Sequence, residues 1–203
     1  MITLNPLELA DIAIRGFGAM QKTAELAALI DLVASGEPKR ILEIGFGNGG
    51  TAWAWSKISS LEQLIILNLP EGPWGGCGED RDSAMLQRIA ENTTARIDYI
   101  AGNSQNSEAL EAVEARLKGE LVDFLFVDGD HSALGVAADY ELYKKFVRPQ
   151  GLIAFHDVAE HAPETGCEVK LFWDKLKESL APEQYCEFLA EPLTWGGIAV
   201  VKV

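Results

Sequence analysis

Two short stretches concentrate groups that can bind a cation or move a proton. FLFVDGDHSALG, from Phe124 to Gly135, passes from strand-forming apolar residues directly into Asp128, Asp130 and His131; LIAFHDV, from Leu152 to Val158, ends in His156 and Asp157. Carboxylates beside an imidazole suit a hard divalent cation such as magnesium or manganese, held by few protein ligands and completed by water or substrate oxygens. An imidazole next to such a centre is also placed to accept a proton. The alternative is structural: Asp128 caps the following helix, and His131 and Asp157 make satisfied hydrogen bonds. His161, in a polar loop, and Asp98, Asp123 and Asp139 are taken as ordinary polar or charged positions.

The elements that would position these groups follow from the hydrophobic pattern. AMQKTAELAALIDLVASG has Met20, Ala24, Ala27 and Ile30 at helical spacing and stops at Gly36 and Pro38, which predicts a helix ahead of the first strand. RILEI (40–44), LIILNL (64–69), RIDYIAG, LVDFLFVD (121–128) and GLIAFHD (151–157) read as strands, each followed by a helical segment. YCEFLAEPL and GGIAVVKV have no room for a helix between them and should pair antiparallel. The result is an α/β, doubly wound, Rossmann-like sheet of seven strands, mostly parallel with one antiparallel C-terminal strand. In such sheets ligands sit beyond the carboxyl ends of the strands, where strand order reverses. Neighbouring fourth and fifth strands would bring the two polar clusters together.

The 203 residues suit one domain, a helical segment over 1–38 and the Rossmann-like core over 39–203. A formal charge of −14 repels phosphate backbones and anionic membranes, so neither nucleic acid nor membrane is expected as a partner. Cys77, Cys167 and Cys186 are odd in number and widely spaced, which argues for reduced thiols and a cytoplasmic location. No export signal or membrane-length apolar run is visible.

The first strand runs into GFGNGG. Gly45, Gly47 and Gly50 match G-x-G-x-x-G, with Gly49 in the same loop, a pattern several nucleotide sites share. Against a dinucleotide stand Glu43 inside the strand end and Asn68, not an acid, at the end of the second strand.

E-x-G-x-G after the first strand, in this strand order, resembles the class I S-adenosylmethionine-dependent methyltransferases. LEIGFGNGGT, VDGDHSALGVAADYELYKKFVRPQGLIAFHDV and VKLFWDKL more narrowly resemble small O-methyltransferases grouped with cephalosporin hydroxylase and rhamnosyl O-methyltransferase proteins, and AGNSQ resembles a segment of the catechol-type enzymes. The resemblance implies S-adenosylmethionine held by Glu43, Gly45, Gly47 and Gly49 at the methionine end, by Asn68 at the ribose and by Asn103, Ser104 and Gln105 at the adenine, with Asp128 between cofactor and cation. Asn68 lacks the bidentate grip of a carboxylate, for which Glu71 is a substitute, and Trp74 is a candidate cover. The alternative reading of this segment is a helix N-cap by Asn103, Ser104, Asn106 or Ser107.

On the same grounds Asp128, His156 and Asp157 are the expected ligands of a magnesium or manganese ion, and His131, with Asp130, the expected catalytic base. The function implied is metal-assisted O-methylation of a hydroxylated small molecule or sugar. A metal-independent transferase with a histidine base and a non-catalytic cofactor-binding protein are the alternatives. The N-terminal segment is a candidate dimer contact.

Overall fold

A computed structural model describes residues 4–71, 78–91 and 93–203. Trp74 and Cys77 lie outside the described residues.

The chain opens with α1 (Pro6–Phe17), started by a capping box in which Asn5 and Glu8 exchange backbone hydrogen bonds, and ended by Gly18 in the left-handed conformation. The second helix, α2 (Thr23–Ser35), begins four residues later than the spacing from Ala19 suggests. The turn at Gly18 leaves Met20 as a connecting residue, 63% exposed, where the helical pattern placed it on an apolar face.

The alternating elements follow as expected: β1 (Arg40–Ile44), α3 (Gly50–Trp55), β2 (Gln63–Asn68), α4 (Glu79–Ala90), β3 (Arg96–Ala101), α5 (Ser107–Leu117), β4 (Val122–Val127), α6 (Ala133–Tyr143), β5 (Val147–His156), α7 (Val169–Lys177), β6 (Tyr185–Phe188) and β7 (Ile198–Lys202). They form one seven-stranded sheet in the order β3-β2-β1-β4-β5-β7-β6. Only β7 runs against its neighbours.

Strand residues alternate between two cores. Ile41, Phe124 and Phe126 face α1 to α3, where fully buried Trp55 meets the rings of Phe124 and Phe126 edge-on, with centroids 5.4 and 5.8 Å away. Leu42, Ile44, Leu125 and Val127 face the other side, with Val113, Tyr143 and Trp173. On α7, Val169 and Trp173 are buried in this second core, and Phe172, Leu176 and, beyond the helix, Leu180 pack against it at helical spacing. Among the described residues no helix is long and apolar enough to cross a membrane.

Register decides what the sheet delivers. Ile44 pairs with Val127, and Val127 with Phe155, so the residues after β1, β4 and β5 emerge side by side at one edge. The order reverses between β1 and β4, as the topological rule for ligand sites requires.

Candidate active site

The glycine loop is locked to the end of β4. The Asp128 amide donates to the Ile44 carbonyl at 2.8 Å, and that of Gly45 to Leu67 at 2.9 Å. Gly45 has φ +93°, and a Cβ there would lie 2.0 Å from the Asp128 carbonyl oxygen. Gly47 and Gly49 also have positive φ, Gly49 as the residue preceding α3. Glycine is needed here for backbone conformation and for the absence of a side chain.

Glu43 lies beneath this loop, fully buried, and lines neither of the two cavities described below; Thr51, which lines the second, donates its hydroxyl to one carboxylate oxygen. Burial, reinforced by the charge of Asp128 and opposed by the Thr51 bond, pushes the carboxyl up to about 8. The folded protein therefore prefers Glu43 protonated. Its contribution is unfavourable as pH rises from the ordinary glutamate range to about 8, growing by roughly 1.4 kcal/mol per unit. Glu43→Gln is expected to match the wild type near pH 4 and to melt several degrees higher at pH 8, measured by thermal denaturation across that range. Equal melting temperatures at pH 8 would rule out a neutral, buried Glu43.

On one side of Gly45 is a cavity of about 340 Å³ lined by Asn68, Asn103, Ser104, Gln105 and Asp130. Asn68 reaches its edge, but its amide is engaged with protein: Oδ1 accepts from the Phe46 amide at 3.1 Å, and Nδ2 donates to Asp82 at 2.9 Å and to the Tyr99 hydroxyl at 3.2 Å. Asp82, buried on α4, is an acid beside the end of β2 that local sequence does not reveal. Glu71 is exposed and lines neither this cavity nor the second.

Ser104 donates to Asp139 at 2.6 Å. Asp139 is not the helix-face charge its position suggested: it is fully buried, and burial, with the charge of Asp130 adding, raises its carboxyl to about 7 despite the Ser104 bond. Asn103 accepts from the Gln105 amide within its own turn, and none of these side chains caps α5.

Asp130, expected to act with His131, lines a different cavity from it. Its carboxylate accepts from the Ser132 amide at 2.8 Å and from Gln105 at 3.1 Å, on the wall of the first cavity, whereas His131 lines the second. The cap of α6 is Ser132, which accepts from Gly135 at 3.0 Å, so Asp128 is not needed for that task.

On the other side of Gly45 lies a cavity of about 460 Å³. Here Asp128, His131, His156 and Asp157 meet. His156 Nδ1 is 3.2 Å from Asp128 Oδ1 and 3.3 Å from Asp157 Oδ2, and His131 Nδ1 is 3.2 Å from Asp157 Oδ2. Gln21, from the turn before α2, donates to the other Asp128 oxygen at 2.8 Å. His161 belongs to the cluster as well, with Nε2 3.1 Å from Asp157 Oδ1. Its loop position concealed this, although it follows Asp157 by only four residues. Asp157 holds φ +63°, a strained conformation for a non-glycine residue and a frequent mark of functional sites.

Burial opposes charge on both imidazoles and both carboxylates, and mutual attraction outweighs it. His131 is raised to about 10 and His156 well above the usual histidine range, while Asp128 and Asp157 are held below the usual carboxylate range. One donor atom from each of Asp128, His156 and Asp157 lies within 4.8 Å of the others, and His131, Asp157 and Cys167 form a second such set. Two carboxylates and an imidazole at this separation fit a hard divalent cation.

A parallel sheet carrying a glycine loop, a polar cluster and paired cavities at the strand ends defines a Rossmann-like ligand-binding domain. Residues 42–158 match the methyltransferase domain family, and the chain belongs to that family. No curated protein sequence matches it significantly.

Among solved structures the fold is similar to that of the MycE methyltransferase from the mycinamycin biosynthetic pathway, in complex with Mg, SAH and mycinamycin VI (TM-score 0.65, 17% identity, 99% of this chain and 55% of that one). It is similar also to an O-methyltransferase from Bacillus cereus in complex with SAH (TM-score 0.62, 18% identity, 98% and 90%). A third is the O-methyltransferase TomG from Streptomyces achromogenes, in complex with SAM (TM-score 0.61, 16% identity, 98% and 90%).

Proposed function

We propose that this protein is an S-adenosylmethionine-dependent O-methyltransferase that activates one hydroxyl of a vicinal diol with the help of a divalent cation. The observation that carries the reading is the convergence of Asp128, His156, Asp157 and His131 in the second cavity, which meets the first, nucleoside-sized one at Gly45. The SAM or SAH held by all three of these neighbours, and the Mg held by one, support it.

The cofactor's adenosine fits the first cavity, against Ser104 and Gln105, and its methionine part fits against the glycine loop. When bound, it supplies an electrophilic sulfonium methyl group. A cation would be held by Asp128, His156 and Asp157, where it supplies Lewis acidity to a hydroxyl oxygen.

The remaining work falls to the chain. Gly45 brings backbone close to the ligand, Gln21 fixes the orientation of Asp128, and His161 fixes that of Asp157. His131 Nε2, 3.7 Å from Asp128, takes the acceptor's proton. To do so it must be neutral. Its high value belongs to an imidazole with both carboxylates unshared, and positive charge placed on those carboxylates lowers it.

One observation favours a metal-independent variant: His156 Nδ1, set between two carboxylates, already satisfies both. Label transfer from S-adenosylmethionine to a panel of vicinal diols, before and after chelation and magnesium return, decides between the two. The metal-assisted reading requires loss and recovery of transfer. Chelator-resistant transfer selects a histidine base alone, and no transfer to any diol counts against the acceptor class.

A further inference from the structure

Trp195 lines the second cavity but touches none of the cation or proton chemistry. It stands in the loop joining β6 to β7, 39% exposed, and its surroundings show how it is held there. Glu25, in the first turn of α2, is 1% exposed and pairs with Lys22, 8% exposed, at 3.4 Å. Glu25 accepts from the Ala190 amide at 2.8 Å and from the Gly197 amide at 2.9 Å, one at each end of the loop. Lys22 donates to the carbonyls of Ala190 and Pro192, both at 2.6 Å.

A buried ion pair is costly to desolvate unless its remaining hydrogen-bonding capacity is filled, and here four loop backbone groups fill it. The pair therefore acts as a clamp on the loop. The Lys22 ammonium also sits 4.9 Å from the centroid of the Trp195 ring and occupies one of its faces. At the other end of the loop the Gly196 amide lies 3.2 Å from His161 Nε2, the nitrogen that faces Asp157 at 3.1 Å, so the loop carrying the indole abuts the polar cluster.

From this geometry we infer that Trp195 is a specificity-determining platform for a ring-shaped acceptor, and that Lys22 and Glu25 are its positioning residues. The inference rests on the transferase reading and adds the shape of the acceptor. An indole held rigidly at a cavity wall complements a flat, apolar molecular face, which a chain-like diol lacks. Such a face is offered by the C–H groups of a sugar ring or by the plane of an aromatic ring. A ring stacked there turns an edge bearing two hydroxyls toward Asp128 and His131 across the cavity.

The test uses the full chain, with and without S-adenosylhomocysteine. Saturation-transfer NMR titrations measure methyl mannopyranoside and catechol as ring probes and 1,2-propanediol as the acyclic control. Titration of S-adenosylhomocysteine on the same samples checks the cofactor reading separately.

At least one ring probe is expected to bind the wild type more tightly than propanediol, and which one does so identifies the ring as sugar or aromatic. Trp195→Ala is expected to weaken that probe about tenfold, close to 1.4 kcal/mol. Trp195→Phe restores it to within about threefold, and neither change alters S-adenosylhomocysteine affinity. Glu25→Gln, which puts a donor opposite a backbone N–H, is expected to weaken the ring probe about three- to tenfold with the cofactor unaffected.

The inference is overturned if neither ring probe binds the wild type, if Trp195→Ala binds the ring as the wild type does, or if propanediol loses as much affinity as the ring. Failure of S-adenosylhomocysteine to bind would instead remove the cofactor reading, whatever the ring probes do.

Discussion

Replacing Gly45 with alanine is expected to abolish measurable binding of S-adenosylhomocysteine and to lower folding stability by about 3 kcal/mol. Two effects act together. At φ +93° an alanine is strained in any surroundings, and its Cβ would lie 2.0 Å from the Asp128 carbonyl oxygen and 2.6 Å from its carbon. Those are backbone atoms, anchored by the bond from the Asp128 amide to Ile44, so they cannot move aside as the end of a flexible side chain would. Relief must come from parting the loop from β4, and both cavities share that loop. Urea denaturation and calorimetric titration of the variant provide the check. Wild-type affinity in Gly45→Ala would mean that the cofactor does not use this loop.

Asp128→Asn is expected to lower turnover by about a thousandfold, with a smaller stability loss of about 2 kcal/mol. Asparagine keeps the size and an oxygen to accept from Gln21, but it removes the charge facing His156 and His131. Burial disfavours charge on His156, so the imidazole loses a main source of its stabilisation and the proposed cation loses a carboxylate ligand. Asp157 still pairs with both histidines, which is why the fold survives.

Asp130→Asn is the informative control. Two residues away, it is bonded to Ser132 and Gln105 in the other cavity. Its turnover is expected to stay within about threefold of wild type, with any effect on cofactor affinity. Steady-state kinetics on the two variants separate the roles, and comparable losses of turnover would place Asp130 in the chemistry after all.

The parallel sheet was legible because its central strands are buried on both faces and so read as unbroken apolar runs. The meeting of Asp128 with His156 and Asp157 followed from it, since polar residues directly after two adjacent parallel strands have one edge to share. What local pattern does not encode is the direction of a side chain within a turn. Asp130 and His131 are neighbours in sequence, yet they line different cavities: the Ser132 amide and Gln105 hold Asp130 in the first, and Asp157 faces His131 in the second.

Long-range partners were equally hidden. Asp139 reads as a helix charge until Ser104, 35 positions earlier, is found against it. Nothing near Glu25 in sequence points to Gly197, 172 positions later, whose amide donates to it. Met20 fits the helical spacing of α2, but the left-handed turn at Gly18 keeps it out of the helix.

The most direct test of the account is calorimetric titration of S-adenosylhomocysteine, with and without magnesium after chelator treatment, on the wild type and on Asp157→Ala. The expected result is cofactor binding in both proteins and a magnesium heat in the wild type alone. Cofactor binding with no magnesium heat in either protein would contradict the metal-assisted mechanism, and no cofactor binding to the wild type would contradict the assignment of both cavities.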